Sequence, residues 1–450
     1  MSEKRRRLKL GSRIIIVAVI VLTVCLGVCL SFPGPLINWF IMPRVSEALA
    51  RSFSQYSIEF GEIRCSVWKN EIGLDSVAVY KADGSLFGKI GEFSVCGFDW
   101  RHLIVGKRLE SQDFKKATFD AQDLRMNLDD DHYEYLIERV HISAVDSEAA
   151  ITSFKVHPTC DVEPFFAAGK YRRPRITVSI PGIQVKGLAI VELLQGKGCL
   201  ASSVVFESPL IDVLINKDKP CAIDSDGPNM PNQVLASIKK RFEIDSLILS
   251  NGRIKYGERF GVGETPGIIT FDSLEAVVTG ITNQSKRGRP LEVRAQGTFM
   301  GAGLMTLQMT IPMGTPELSF FYSGSLSKME LSPLNHFLEP AEHIRIKGGE
   351  IKRLSYEIRV DSGHAIGSVR AEYSGLSFAL LNKKTGSQKG ILNSISSFLA
   401  NTFKVRGTNK PDKSGRIKLG RIDYTKQQSE FFLQFAWFAL RSGLGDVAGF

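Results

Sequence analysis

The sequence lacks the short motifs that identify most enzyme families. It contains no G-x-S-x-G nucleophile elbow, no phosphate-binding P-loop and no H-E-x-x-H zinc motif. The stretch Gly261-Val262-Gly263 lacks the third glycine of a dinucleotide fingerprint, and the seven histidines are scattered along the chain. We therefore predict a protein that is not an enzyme and that needs no cofactor.

Cysteine is also sparse, and its spacing indicates neither a metal nor a redox site. Of seven cysteines, Cys25 and Cys29 fall in an apolar run, and the other five contain no C-x-x-C pair. This spacing argues against a zinc knuckle and a thioredoxin-like pair, whereas one or two disulfides of unknown pairing are compatible with an oxidising compartment. The run DDDH from Asp129 to His132 lacks the alternating spacing of hard-cation ligands, so we interpret it as a solvated acidic turn and predict no metal.

The chain does contain an uncharged run of nineteen residues from Ile14 to Phe32, IIIVAVIVLTVCLGVCLSF, behind a cluster of six basic residues. As a helix rising ~1.5 Å per residue, this run would extend roughly 28 Å, which is close to the hydrocarbon thickness of a bilayer. We predict that residues 1–13 are a cytoplasmic tail, that residues 14–32 are a single-pass anchor, and that the remaining chain lies across the membrane.

Two alternatives to the anchor remain open. A cleaved signal peptide usually has an apolar region of about 7 to 15 residues, shorter than this one. A lipoprotein signal places a small residue before its cysteine, whereas valines precede both Cys25 and Cys29.

The net charge of +10 is concentrated in two places, +5 in the N-terminal tail and +9 between Lys383 and Lys426. Because the predicted anchor puts the second cluster outside the cytoplasm, we do not expect a nucleic-acid partner. An anionic membrane surface is the expected target, and a solvated basic loop is the alternative. The candidate headgroup residues are Lys404, Arg406, Lys410, Lys413, Arg416 and Lys418.

From about Tyr56 onward, short segments rich in Val, Ile, Phe and Tyr alternate with polar residues and end at Gly, Asp or Asn. This pattern predicts many half-buried antiparallel strands and few short helices. Asn251-Gly252 lies between two apolar runs and predicts a type I′ hairpin that pairs Leu249 with Ile254. The expected helices are Gln233–Arg241, Ile391–Phe403 and Glu430–Arg441.

A segment rich in Pro, Asp, Gly and Asn, KDKPCAIDSDGPNMPN, divides the strand-rich region and predicts a linker or long loop at residues 217–232. We therefore predict one β region over 33–216 and a second over 233–450 with terminal helices. Gly97–Gly106 and Gly187–Gly196 resemble each other at a spacing of 90 residues. The expected fold is mainly β, an elongated and curved antiparallel sheet of quasi-repeating units behind an N-terminal transmembrane helix.

A curved sheet with one apolar face offers acyl chains an environment similar to a protein core, so membrane phospholipid is the expected ligand. Lining residues must share parity within a strand, because side chains alternate between faces. The alternative is that these apolar residues simply pack in the core. The candidates for a lipid groove are Leu274, Ala276, Val278, Leu318, Phe320 and Tyr322.

Two C-terminal segments have helical apolar spacing. Ile391–Phe403 resembles an interfacial helix beside the basic cluster. Residues 431–440 are apolar nearly all round but too short to cross a bilayer, which favours capping of the open end of the sheet over shallow membrane insertion. The candidate plug residues are Phe431, Phe432, Phe435, Trp437 and Phe438.

The order of basic tail, single span and strand-rich units such as Ile58–Tyr80, IEFGEIRCSVWKNEIGLDSVAVY, resembles the N-terminal region of AsmA-like envelope proteins. The second half resembles a related family through FEIDSLILSNGRIKYGE (Phe242–Glu258), LSPLNHFLEP (Leu331–Pro340), IKGGEIKRLSYEI (Ile346–Ile358) and FFLQFAWFALRSGL (Phe431–Leu444). The resemblance covers nearly the whole chain but includes no catalytic signature.

The resemblance implies a periplasmic, β-rich protein that is anchored in the inner membrane and binds or transfers phospholipid in envelope homeostasis. Larger relatives are thought to form groove-bearing bridges between membranes. The other function that we keep open is a non-catalytic assembly or scaffold factor that binds envelope protein partners through sheet edges and the basic C-terminal region.

Overall fold

A computed structural model of the chain describes residues 56–66, 70–81, 84–97, 111–128, 132–221, 228–284, 289–314, 317–381 and 406–449. The predicted anchor at Ile14–Phe32, the helix at Ile391–Phe403 and Lys404 lie outside these residues. None of the helices within the described ranges is long and apolar enough to cross a membrane.

The fold is mainly β, as predicted, with a large mixed sheet of twenty strands and few helices. The strands of the first half are β1 Tyr56–Phe60, β2 Ile63–Ser66, β3 Glu71–Leu74, β4 Val77–Lys81, β5 Leu86–Cys96, β6 Thr118–Leu128, β7 Tyr133–Ser143, β8 Glu148–Pro158, β9 Pro174–Lys186, β10 Gly198–Glu207 and β11 Leu210–Asn216. Those of the second half are β12 Arg241–Arg259, β13 Gly267–Thr282, β14 Leu291–Phe299, β15 Gly303–Ile311, β16 Phe320–Leu326, β17 Met329–Glu330, β18 Ile344–Asp361, β19 His364–Leu380 and β20 Leu419–Thr425. The α-helices are α1 Val162–Ala168, α2 Ile190–Leu194, α3 Pro231–Ser237, α4 Asn335–Glu342 and α5 Phe432–Ala448.

The chain forms two compact units. Unit 1 comprises the described residues of Met1–Thr159 with Val178–Glu207 and Ser237–Ser246, and unit 2 comprises those of Cys160–Thr177, Ser208–Ala236 and Leu247–Phe450. Each unit includes residues from both sides of the predicted loop at 217–232, so the units do not follow chain order. The predicted division into regions 33–216 and 233–450 stays a prediction.

Unit 1 is built from antiparallel ladders. Strands β5 to β10 pair with their sequence neighbours, and β5 also pairs with β3 and β4. Ile180, Ile183, Ala201 and Val204 form a buried core cluster on β9 and β10. These strands form because branched and aromatic residues alternate with polar ones, which buries one face of the sheet.

Unit 2 contains a second antiparallel series, β13-β14-β15-β16-β18-β19-β20. Strand β18 shows its physical basis. Leu354, Tyr356, Ile358 and Val360 are buried, and each is followed by an exposed polar residue. This period of two matches the pleat of a strand, so one side of the sheet is apolar and the other is polar.

The prediction of a purely antiparallel sheet was wrong in unit 2. Strand β11 pairs in parallel with β12, from Leu210 opposite Arg253 to Asn216 opposite Arg259. Parallel strands need a crossover connection of roughly a dozen residues or more. Residues 217–240, which include α3, supply that connection.

The predicted hairpin at Asn251-Gly252 was also wrong, because β12 continues through these residues as one strand. A type I′ turn requires positive φ at two successive residues. Asn251 has a φ of 52°, but Gly252 is not in that region. The Asn251 backbone N–H instead donates to Glu275 Oε1 at 2.7 Å, and its side chain donates to Ser208 Oγ at 3.2 Å. Asn251 therefore introduces a local irregularity without reversing the chain.

Candidate functional site

The strand register brings most of the predicted groove residues onto one face of unit 2. Val278 on β13 lies opposite Val293, which lies opposite Met309, which lies opposite Tyr322 on β16. Laterally aligned residues point to the same side of a sheet. The two sets of residues predicted from parity therefore belong to one surface.

Part of this surface is accessible. On β13, β14 and β15 seven of its apolar side chains are half-buried, whereas Leu291, Met309 and Ile311 are buried. Residues between the half-buried ones, such as Glu275 and Val277, are exposed on the other side. We refer to these half-buried residues as the apolar face. They are Leu274, Ala276, Val278, Val293, Ala295, Met305 and Leu307.

A bulge in β13 contributes to the apolar face. The register between β13 and β14 shifts between Asp272 and Glu275, and Ser273 has a φ of 48°. Leu274 Cδ1 lies 3.2 Å from the place where a Cβ on Gly297 would stand. Because residue 297 is a glycine, the leucine side chain can lie across β14, which keeps Leu274 on the same side as Ala276 and Val278.

The β16 candidates are covered, and here the groove prediction needs correction. Phe320 and Tyr322 are only 2% and 3% exposed. The Phe320 ring centroid lies 5.0 Å from that of Phe432, and Tyr322 donates a hydrogen bond of 2.7 Å to the carbonyl oxygen of Ala436. Helix α5 therefore covers this part of the surface, and neither residue lines an open groove. Leu318 precedes β16 and is half-buried.

Helix α5 has one buried and one exposed side. Phe435 is fully buried, Phe432 and Phe438 are half-buried, and Phe431 and Trp437 are 62% and 49% exposed. The buried side approaches the sheet closely, since a Cβ on Gly443 would lie 2.9 Å from Val369 Cγ2. Phe432, Phe435 and Phe438 thus cover the core, whereas Phe431 and Trp437 remain in contact with solvent.

Helix α5 contacts β16 and β20 through different residues of its buried side. Ala436 faces β16 through Tyr322, whereas Phe438 contacts Tyr424 on β20 at a ring-centroid distance of 6.2 Å. Leu433 and Leu440 lie three and four residues from Ala436 and so share its side of the helix. Leu433 is 73% exposed, so the first turn of α5 leaves an apolar side chain in contact with solvent.

The basic candidates differ in their surroundings. Arg406, Lys410 and Lys413 are exposed. Arg416 pairs with Asp412 at 3.2 Å, and Lys418 pairs with Asp446 at 3.1 Å. Hydrogen bonds from the Arg421 backbone and from Lys418 hold the pKa of Asp446 below its usual range.

Unit 2 also contains a buried ionic cluster, formed by Lys217, Tyr256, Glu258 and Glu342. Lys217 Nζ lies 2.7 Å from Glu258 Oε1, and the Tyr256 hydroxyl donates to the same oxygen. Within the described residues, Glu258 Oε2 and Glu342 Oε1 have no hydrogen-bond partner. Burial raises the pKa of Glu342 to about 8, against the opposing effect of Arg441. Glu342 therefore keeps its proton at neutral pH.

Sequence reasoning missed this cluster because its members are far apart in the chain. Lys217 follows β11, Glu258 is the last residue but one of β12, and Glu342 ends α4. Such groups can mark functional sites, although structural ion pairs have the same signature. No local spacing identifies them, since parallel pairing of β11 and β12 is what brings Lys217 to Glu258.

Metal and thiol chemistry have little basis in the described part of the chain. It contains no group of three or more His, Cys, Asp or Glu residues that could hold a metal ion. Asp129, Asp130 and Asp131 lie outside it. Cys160, Cys199 and Cys221 are free thiols.

Comparison of the sequence with models of protein families and with curated proteins finds no match.

Proposed function

We propose that this chain is a membrane-anchored envelope protein of AsmA-like type that holds phospholipid acyl chains on the apolar face of unit 2. In this proposal the chain is tethered by Ile14–Phe32 in the inner membrane, its β-rich body is periplasmic, and its quasi-repeating strands form an elongated, curved groove. The protein binds or transfers lipid and carries out no covalent chemistry.

The observation that carries the proposal is the apolar face itself. Seven apolar side chains on three adjacent strands are half-buried and so remain partly accessible to solvent. Contiguous exposed apolar surface of this kind commonly marks a ligand or interaction site. Each methylene that moves from water to such a surface contributes ~0.8 kcal/mol, so six of them contribute roughly 5 kcal/mol.

Two neighbouring valines provide a matched test. Val278 belongs to the apolar face, whereas Val277 points to the other side of the same strand and is 41% exposed. We expect full-length protein, extracted in detergent, to co-purify with phospholipid that mass spectrometry detects. Val278→Asp should lose most of this lipid because a carboxylate on the face opposes acyl-chain contact. Val277→Asp should retain it.

Well-folded wild-type protein without bound phospholipid would overturn the proposal. Equal loss of bound phospholipid in Val278→Asp and Val277→Asp would also overturn it. Circular dichroism and thermal melting show whether each variant is folded. If Val278→Asp does not fold, Leu307→Gln is tested instead, because it places an uncharged polar group on the same face. The scaffold alternative predicts that capture of protein partners survives every variant that loses lipid.

A further inference from the structure

The polar side of the unit 2 sheet contains a shallow depression of about 280 Å³ on β15, β16, β18 and β19. Thr306 lies opposite Ser325, Ser325 opposite Ser355, and Ser355 opposite Arg370. Three small hydroxyl residues therefore form a lateral row that ends at an arginine. The row lies opposite the apolar face, because Leu307 is the next residue after Thr306.

The depression exists because its floor is made of small side chains between larger ones. Leu304 and Arg353 lie two residues from Thr306 and Ser355 on the same side of their strands, about 7 Å away. Adjacent strands are separated by about 4.8 Å, so the row from Thr306 to Arg370 extends roughly 14 Å. Two arginines flank Ser355, since Arg370 lies opposite it on β19 and Arg353 lies two residues away on β18.

The hydroxyl groups here have hydrogen atoms left to donate. Thr306 Oγ1 and Ser325 Oγ share one hydrogen bond of 2.7 Å, so whichever oxygen accepts keeps its own hydrogen. Ser327 Oγ accepts from the Leu304 backbone N–H at 2.8 Å and likewise keeps its hydrogen. The Ser355 hydroxyl makes no hydrogen bond within the described residues. The depression therefore offers hydroxyl donors to a ligand.

Three cations, Lys352, Arg353 and Arg370, outnumber the carboxylates at the depression. These carboxylates are Glu372 and Glu357, and Glu357 lies two residues from Ser355 on the same side of β18. Glu372 contacts both Arg353, at 3.0 Å, and Lys352, at 3.6 Å. One carboxylate is thus shared between two cations. Arg370 is exposed and has no ion pair in the described part of the chain. Its planar fork of donors suits bidentate binding of an oxyanion.

We propose that this depression, which we call the hydroxyl pocket, binds the phosphate group of a phosphomonoester. Ser355 and the Thr306–Ser325 pair donate to the phosphate oxygens, and Arg370 neutralises their charge. The depression has room for a phosphate group and for part of the molecule that carries it. The site is independent of acyl-chain binding, because it lies on the opposite side of the sheet from the apolar face.

The test measures binding of inorganic phosphate to full-length protein by calorimetry. Arg370→Ala should weaken binding about tenfold or more, and Ser355→Ala should weaken it several-fold, since both remove donors to a charged acceptor. Arg359→Ala is the matched control. Arg359 is exposed on the same side of β18, four residues from Ser355, and its loss should change the affinity by less than about twofold.

A second arm distinguishes the source of the phosphate. Vesicles of phosphatidylcholine with and without phosphatidic acid present the same group as a lipid phosphomonoester. Binding to phosphatidic acid that is sensitive to Arg370→Ala assigns the pocket to a headgroup, and binding to inorganic phosphate alone assigns it to a soluble ligand. Absence of saturable binding to either probe, or equal loss in Arg359→Ala and Arg370→Ala, would overturn the proposal.

Discussion

Tyr322 and Ala436 join the sheet of unit 2 to its C-terminal helix. The tyrosine hydroxyl on β16 donates to the Ala436 carbonyl oxygen on α5 at 2.7 Å, in a fully buried position. Burial also raises the pKa of Tyr322, so the phenol remains a donor at all physiological pH values. This bond holds α5 over the β16 part of the apolar surface.

We predict that Tyr322→Phe lowers the free energy of unfolding by about 1 kcal/mol, the usual net value of a buried hydrogen bond. Urea denaturation measures the change. Tyr356→Phe is the matched control, because Tyr356 is also buried but its hydroxyl forms no hydrogen bond within the described residues. An equal effect of the two substitutions would show that the hydroxyl volume, and not the bond, matters.

Close approach of α5 to the sheet depends on glycine. A Cβ on Gly420 of β20 would overlap the Gly443 carbonyl oxygen and lie 2.7 Å from Val447 Cγ2. We predict that Gly420→Ala destabilises the protein by about 1–3 kcal/mol through overpacking. Gly348→Ala should have a smaller effect, because the nearest atom to its Cβ would be 3.6 Å away. The two thermal midpoints give the comparison, and similar midpoints would contradict the prediction.

Much of the fold could be predicted from local alternation. Alternation predicted many half-buried strands from about Tyr56 onward, and strands β1 to β20 lie there. Burial of one strand face requires period-two patterning, which is visible in a single segment. The C-terminal helix was predicted at the right place but ended at Arg441, seven residues early, because Gly443 and Gly445 resemble a stop signal. Gly443 instead allows the helix to contact the sheet.

The site could be predicted only in part, because its features depend on contacts between distant segments. Parity identified Val278 and Tyr322 as members of one surface, but not that α5 covers Tyr322. The hydroxyl pocket needs Thr306, Ser325 and Ser355 on three adjacent strands, and sequence alone does not fix that register.

Deletion of Lys383–Phe450 would test whether the basic C-terminal region binds protein partners. This deletion would also remove α5. Phe320 and Tyr322 would then lose their cover, so loss of partner capture could reflect unfolding. Point substitutions distinguish the lipid and scaffold functions better.

We predict that Lys410→Glu with Lys413→Glu leaves the thermal midpoint nearly unchanged, since both lysines are exposed. The variant should bind anionic vesicles more weakly than wild type in a sedimentation assay. Unchanged binding would assign this segment to a solvated loop.

Arg259 has a buried position that a lysine cannot reproduce. Its guanidinium group bonds both oxygens of Glu163, and its central carbon lies 4.5 Å from the centroid of the Phe166 ring. We predict that Arg259→Lys costs about 1–2 kcal/mol of unfolding free energy, because the second hydrogen bond and the stacking are lost. Arg253→Lys should cost less than about 0.5 kcal/mol, since that side chain is 59% exposed in its pair with Asp272. Equal losses of unfolding free energy in Arg259→Lys and Arg253→Lys would contradict a special contribution of the buried Arg259 guanidinium group.

Glu342 should make stability depend on pH. Its surroundings include Lys217 and Glu258 at the ends of β11 and β12 and Arg441 on α5, and its pKa rises from 4.5 to about 8 on folding. The folded state therefore keeps a proton that the unfolded state releases, so this contribution is complete below pH 4.5 and is lost as pH rises to 8. We predict that the unfolding free energy of wild type falls relative to Glu342→Gln by about 1.4 kcal/mol per pH unit between pH 5 and about 8. The control, Glu339→Gln, comes from the same helix.

Arg345 lowers the pKa of Glu339, so the Glu339 carboxyl is ionised in both the folded and the unfolded state above pH 5. The difference in unfolding free energy between wild type and Glu339→Gln should therefore be constant there. Urea titrations at pH 5.5, 6.5 and 7.5 measure both differences, and a constant difference for Glu342→Gln would mean that Glu342 is ionised in the folded protein.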